Sequence, residues 1–227
     1  MATYRELHPW NLTPSEAVAL QKTLASQVKI VPLAREITTV AGCDISFDKG
    51  SDKVWAGVVV LSLPDLQVIE SAGVETKAPF PYVPGLLSFR ETPPLLEAWA
   101  KLKTEPDAVV MDGQGLAHPR RMGLACHFGL VVERPTLGCA KTVLVGKFDA
   151  PEPAKGSWSP MVYRNETVGA ALRAKDKVTP VYISPGHEID LKDSVALTLR
   201  CAGGYRVPEP TRQAHLYVNR LRRGELE

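Results

Sequence analysis

The apolar run Val109-Val110-Met111 stops on Asp112, and Gly113-Gln114-Gly115, His118-Pro119 and Arg120-Arg121 follow at once. A short unbroken apolar run bounded by turn residues reads as a strand buried on both faces, and so implies a sheet with helices on each side. In sheets of that kind, ligands and chemistry gather at the carboxyl ends of the strands. Asp112 occupies such an end, and Gly113 and Gly115 let the backbone turn sharply or come close to a ligand. The two arginines beyond are suited to hold an anion. An ordinary strand followed by a solvated turn would contain the same residues, so the weight falls on whether other carboxylates sit at matching places.

They do. Residues 38–47 alternate as a strand, with Ala41, Cys43, Ile45 and Phe47 on one face and Val40, Gly42, Asp44 and Ser46 on the other. Asp44 therefore lies inside an apolar strand, where an unpaired charge is costly. Strands over Val54–Leu63 and Leu66–Val74, linked by Pro64-Asp65, complete an antiparallel meander. Glu91 precedes Thr92-Pro93-Pro94, a capping residue and a proline-led start that predict a helix to about Lys103. That places Glu91 at or near a helix N-terminus, where a carboxylate is favoured.

Between meander and helix, Pro79, Pro81, Pro84 and Gly85 make a stiff loop that holds Tyr82 out. Such a tyrosine either stacks on a base or packs on its own prolines. Upstream, Thr13-Pro14-Ser15-Glu16 is a capping box opening a helix that runs to about Lys29. Downstream, Arg121–Val132 reads as a helix and Pro135–Ala140 as a short strand ending at Lys141. Residues 150–160 form an exposed loop, Val162–Ala174 holds a strand pair turning around Asn165-Glu166, and Val178–Ser184 is another strand. Pro185-Gly186-His187 predicts a turn, Asp190–Arg200 a helix, and Pro210 opens a last helix carrying His215.

At 227 residues, one domain is expected, with the first helix at about 13–29 and a catalytic core over about 38–223. The net charge of +2 does not announce a nucleic-acid partner, although Arg200, Arg206, Arg212, Arg220, Arg222 and Arg223 crowd the C-terminal end. The four cysteines lack zinc spacing and lie in apolar surroundings, which suggests free thiols in the cytoplasm. No apolar run is long enough to cross a bilayer.

Three carboxylates brought to one sheet edge repel one another; two at about 4 Å cost on the order of 4 kcal/mol at an effective dielectric near 20. A divalent cation relieves this, and oxygen ligands suit Mg²⁺ or Mn²⁺. The residues themselves thus point to metal-dependent phosphoryl transfer.

Several motifs carry a more specific resemblance. Gly42-Cys43-Asp44-Ile45-Ser46-Phe47, Pro81 through Glu91, Asp112-Gly113-Gln114-Gly115 with His118-Pro119-Arg120-Arg121, Gly138-Cys139-Ala140-Lys141, and Tyr205 through Arg212 occur in that order. Together they resemble the endonuclease V family, the deoxyinosine 3′ endonucleases, over about residues 42–215. The resemblance implies an α/β fold of the ribonuclease H-like kind, a mixed sheet with antiparallel first three strands flanked by helices. It implies Asp44 and Asp112 as metal-binding aspartates, Glu91 as a third acidic residue, and Lys141 beside the scissile phosphate. His215 would complete the site. Tyr82 would be the wedge that fills the gap left by an extruded base, with Pro81, Val83, Pro84, Gly85, Leu87, Gly113 and His118 around the lesion.

The activity implied is incision of the second phosphodiester bond 3′ to deoxyinosine, with Mg²⁺ or Mn²⁺, leaving a 3′-hydroxyl and a 5′-phosphate. The implied partner is DNA containing deoxyinosine, the same chemistry on inosine-containing RNA being the alternative, and a monomer is expected. Many members carry a histidine where this chain has Gln114.

Overall fold

The structure is a computed structural model that describes residues 1–48 and 50–226. One eight-stranded sheet runs through it in the order β3-β2-β1-β4-β5-β8-β7-β6. The strands are β1 (Thr39–Phe47), β2 (Lys53–Ser62), β3 (Val68–Lys77), β4 (Ala108–Met111), β5 (Thr136–Ala140), β6 (Trp158–Tyr163), β7 (Glu166–Leu172) and β8 (Val181–His187). β1, β2 and β3 pair antiparallel, β4 and β5 join β1 in parallel, and β8, β7 and β6 extend the sheet antiparallel. The order β3-β2-β1-β4-β5 with an antiparallel first trio is the ribonuclease H-like arrangement expected from the motifs.

Helices α1 (Pro14–Ala25), α2 (Leu87–Trp99), α3 (Leu124–Val132), α4 (Leu191–Arg200) and α5 (Glu209–Arg222) cover both faces. The alternation of β1 divides the core as its sequence requires. Ala41 and Cys43 face the cluster built by Leu95, Trp99 and Phe128 of α2 and α3. Val40 faces the cluster holding Val195 and Leu197 of α4 and Ala214 of α5. α1 lies outside α3, with Leu24 against Met122, Cys126 and Leu130. Among the described residues no helix is long and apolar enough to cross a membrane.

Three expectations are corrected. The helix expected from Thr92 to about Lys103 begins at Leu87 and ends at Trp99, with Pro93 and Pro94 inside it and no side-chain cap. Burial of Leu86 and Phe89 against Phe80 holds its first turn, and tertiary packing outweighs the proline signal. Glu91 is consequently beyond the first turn. Pro185-Gly186-His187 forms the end of β8 rather than a turn, because a register shift at Thr136/Leu137 accommodates the proline. α1 stops at Ala25 rather than Lys29, whose backbone N–H and carbonyl instead bond His187 Nδ1 and the Glu188 amide. The 13–16 capping box forms as expected. The β6–β7 turn falls on Arg164-Asn165, both with positive φ.

Two local packings are demanding enough to test. A Cβ on Gly42 would lie 1.9 Å from the Pro210 carbonyl oxygen, so only glycine lets the start of α5 sit on β1. Gly42→Ala should cost about 3 kcal/mol or more, since the obstruction is backbone; a melting curve reads this directly. His127 is fully buried on α3, its Nε2 2.7 Å from His8 Nε2 and its Nδ1 2.9 Å from Ser88 Oγ. Burial, aided by the His8 charge, drives its pKa down to about 3. The unfolded chain would take up this proton below about pH 6.5, whereas the folded one would wait until about pH 3. This contribution is therefore fully present above pH 6.5 and lost as pH falls, by up to about 1.4 kcal/mol per pH unit. Melting temperature should fall more steeply from pH 7 to pH 5 in the native chain than in His127→Phe, and parallel slopes would remove His127 from the account.

Candidate active site

β1, β4 and β5 are parallel neighbours, so their carboxyl ends share one edge of the sheet. Cys43 pairs with Met111, and Met111 with Gly138. Asp44, Asp112 and Lys141 are thereby delivered side by side, Asp112 and Lys141 each directly following a strand. The Lys141 ammonium is bonded to Asp112 Oδ2. Burial works against the charge on Lys141, but the hydrogen bond to Asp112 together with the negative charges of Asp112 and Asp44 outweighs it and raises the pKa.

Asp44 sits on the opposite face of β1 from Cys43, towards α5. The seat of α5 on Gly42 brings His215 Nδ1 to 2.8 Å from Asp44 Oδ2. The Ser46 hydroxyl, next on the same face of β1, lies 3.2 Å from Asn219 Oδ1. The Asn219 amide nitrogen then lies 3.1 Å from His215 Nε2 and 2.8 Å from the His215 carbonyl. An amide nitrogen only donates, so Nε2 accepts and the Nδ1–H points at Asp44. Sequence reading found His215 and missed Ser46 and Asn219. The signals were the i, i+2 relation of Ser46 to Asp44 and the i, i+4 relation of Asn219 to His215.

Glu91, half-buried on α2, is the third carboxylate. Burial, with the charges of Asp44 and Asp112, pushes its pKa up to about 8 against the opposing charge of Arg90. Asp44 is likewise raised, by burial first and Asp112 second, despite the hydrogen bond from His215. Even with Lys141 against Asp112 and His215 against Asp44, the cluster is short of positive charge. A divalent cation among hard oxygen donors would make good that deficit, so the donor set fits one. Among the described residues, no three His, Cys, Asp or Glu side chains form a ready-made cage.

Beside the carboxylates opens a cavity of about 490 Å³. Its wall includes Tyr82, Val83, Pro84, Gly85 and Leu87 from the proline loop and Gly113 and His118 from the central motif; Pro81 is exposed outside it. Tyr82 is 71% exposed, so it does not pack away among its own prolines. The loop behind it is anchored at both ends. Arg90 donates to the Phe80 carbonyl at 2.8 Å. Gly85, at φ +78°, turns its carbonyl into three donors: Gln21 Nε2 at 3.1 Å, His118 Nε2 at 3.0 Å and Arg120 Nη2 at 2.6 Å. Burial, with the Arg120 charge, lowers the His118 pKa to about 4 against the pull of the Gly85 carbonyl.

The expectation that Arg120 and Arg121 hold an anion is corrected. Arg120 is engaged by Gly85 and Gln21, and Arg121 by Glu166 and the Tyr163 carbonyl. Gln21 was not legible as part of the site, because nothing in an amphipathic helix marks which polar residue reaches inward.

The endonuclease V family model matches residues 22–216. Endonuclease V of Gloeobacter violaceus is 49% identical over 220 residues, covering 96% of this chain and 89% of that one. The structure of endonuclease V from Streptomyces avermitilis, 38% identical, matches with a TM-score of 0.91 over 98% of this chain and 99% of that chain. Ciona intestinalis endonuclease V, solved in complex with a 24mer DNA containing an inosine followed by a ribo-adenosine, is 24% identical. It shares the fold at a TM-score of 0.81 over 93% of this chain and 98% of that chain. On the extent of the family match and of this identity, the chain belongs to the endonuclease V family.

Proposed function

We propose that this protein recognises deoxyinosine in DNA and hydrolyses the second phosphodiester bond 3′ to it, leaving a 3′-hydroxyl and a 5′-phosphate. The observation that carries the reading is the charge-deficient cluster of Asp44, Glu91 and Asp112, with Asp112 lining a cavity roomy enough for a base and Tyr82 exposed at its rim. The volume lies within the range of small-ligand pockets. A cluster short of cations suits a divalent metal that would in turn hold a phosphodiester, and the cavity suits an extruded base. The Ciona relative, seen with inosine-containing DNA, offers the same fold for such a substrate.

In this reading Asp44 and Asp112 hold Mg²⁺, for which Mn²⁺ can substitute, and the cation supplies charge for the phosphate and a more acidic water. His215 orients the Asp44 carboxylate through its Nδ1–H, with Ser46 and Asn219 setting the tautomer. Glu91 stands beside the two aspartates as the third acidic residue of the site. Lys141, on Asp112 in the free protein, is placed to transfer its ammonium to the phosphate and oppose developing charge. The loop carrying Tyr82 keeps the cavity open while the duplex closes around its rim. We further assign residues 1–227 to one catalytic domain acting as a cytoplasmic monomer.

The deciding experiment incubates the protein with a duplex carrying one deoxyinosine, with and without Mg²⁺, and maps the nick. One nick at the second bond 3′ to the lesion is expected, abolished by chelation and reduced at least about a thousandfold in Asp112→Asn. A matched inosine-containing RNA run alongside reads the competing substrate, and faster cleavage of it would overturn the assignment to DNA.

A second prediction concerns Tyr82. Tyr82→Ala should weaken incision of a deoxyinosine duplex about tenfold or more, in line with the loss of base–aromatic stacking. Single-stranded substrate should suffer far less and the melting temperature should hold, since the ring is mostly exposed. Equal losses on both substrates would remove the wedge role.

A further inference from the structure

Gln114, the residue that sets the central motif apart, takes no part in the carboxylate cluster. Its Nε2 donates to the carbonyl of Thr142 at 2.9 Å. A main-chain carbonyl only accepts, so this contact fixes which end of the amide is which. The other end, Oε1, is buried without a hydrogen-bond partner among the described residues. An unpaired buried acceptor works against stability, and the one hydrogen bond holding this cavity-lining side chain is made by its donor.

The donor acts on the residue next to Lys141. The Lys141 carbonyl is itself held, by Arg206 Nη2 at 2.8 Å. The same guanidinium donates to the carbonyls of Thr179 and Pro180, just before β8. Two consecutive carbonyls beyond β5 are thus gripped from two directions, one grip coming from the loop after β4 and the other from the segment before α5. Lys141 has a long, half-exposed side chain that would spread over many rotamers on a loose backbone. With its backbone fixed, its ammonium reaches Asp112.

We propose that Gln114 is a positioning residue for Lys141: by tying Thr142 to the loop that carries Asp112, it sets the register between the lysine and the carboxylate it serves. The inference rests on the assignment of Lys141 to the phosphate.

The test compares the native protein, Gln114→Met, Lys141→Ala and the double variant. Methionine keeps the length of glutamine and removes the donor. Two readouts are taken: single-turnover cleavage of the deoxyinosine duplex with its Kd, and acylation of Lys141 by acetic anhydride, followed by peptide mass spectrometry without substrate. Gln114→Met should slow cleavage about fivefold, the worth of one hydrogen bond, with Kd and melting temperature unchanged. It should raise Lys141 acylation by a similar factor, and it should slow cleavage no further once Lys141 is alanine.

Unchanged acylation, equal slowing in both lysine backgrounds, or a loss confined to Kd would each overturn the proposal. If acylation rises but Lys141→Ala cleaves at the native rate, the grip stands and the catalytic assignment of Lys141 is what fails.

Discussion

Like charge at one edge of a sheet is the constraint around which the molecule is arranged. Asp44, Asp112 and Glu91 come from a strand, a strand end and a helix; Asp112 raises the energy of charged Asp44, and both aspartates raise that of charged Glu91. A fold can sustain that only if the backbone leaves the carboxylates no room to separate. The parallel register of β1, β4 and β5 fixes two of them, and the packing of α2 on the opposite face of β1 from α5 fixes the third. The repulsion so held is what a nuclease of this family can turn to use, since a site short of cations favours a divalent metal, whose charge in turn offsets that of a substrate phosphate.

Two partly independent supports stand around the carboxylates. On one side of the sheet, α5 lies against β1 closely enough that a single methyl group at Gly42 would displace it, and His215 rides on that contact. On the other, α1 and α3 back the wall of the cavity through Gln21 and the His8–His127–Ser88 chain. The first support orients acid groups and the second shapes the space beside them.

Much of this was legible in the sequence. The strand alternation around Asp44 predicted which face it shares with Gly42 and Ser46, and the apolar run ending at Asp112 predicted a buried strand with its chemistry at the carboxyl end. These are local periodicities, read without knowing the partner strand. What failed was information carried by contacts far apart in the chain. Pro93 and Pro94 suggested a helix start, but the hydrophobic packing of Phe89 and Leu86 lies upstream and begins the helix six residues before Pro93. Pro185 suggested a turn, yet a bulge at Gly186 within β8 itself lets the strand continue along β5. Arg120 and Arg121 suggested an anion site, but their partners lie on α1, the proline loop and the β6–β7 hairpin, none of which sequence spacing can place beside them.

The three donors gathered on the Gly85 carbonyl also set when the loop loses its freedom. A proline-rich segment held by one contact would still sample several shapes and would have to be ordered by whatever enters the cavity. Tied to α1, to His118 and to Arg120 at one atom, with Arg90 on Phe80 at its other end, the segment is ordered as the chain folds. Conformational entropy is then spent during folding, and an arriving nucleic acid meets a rim already in its final shape.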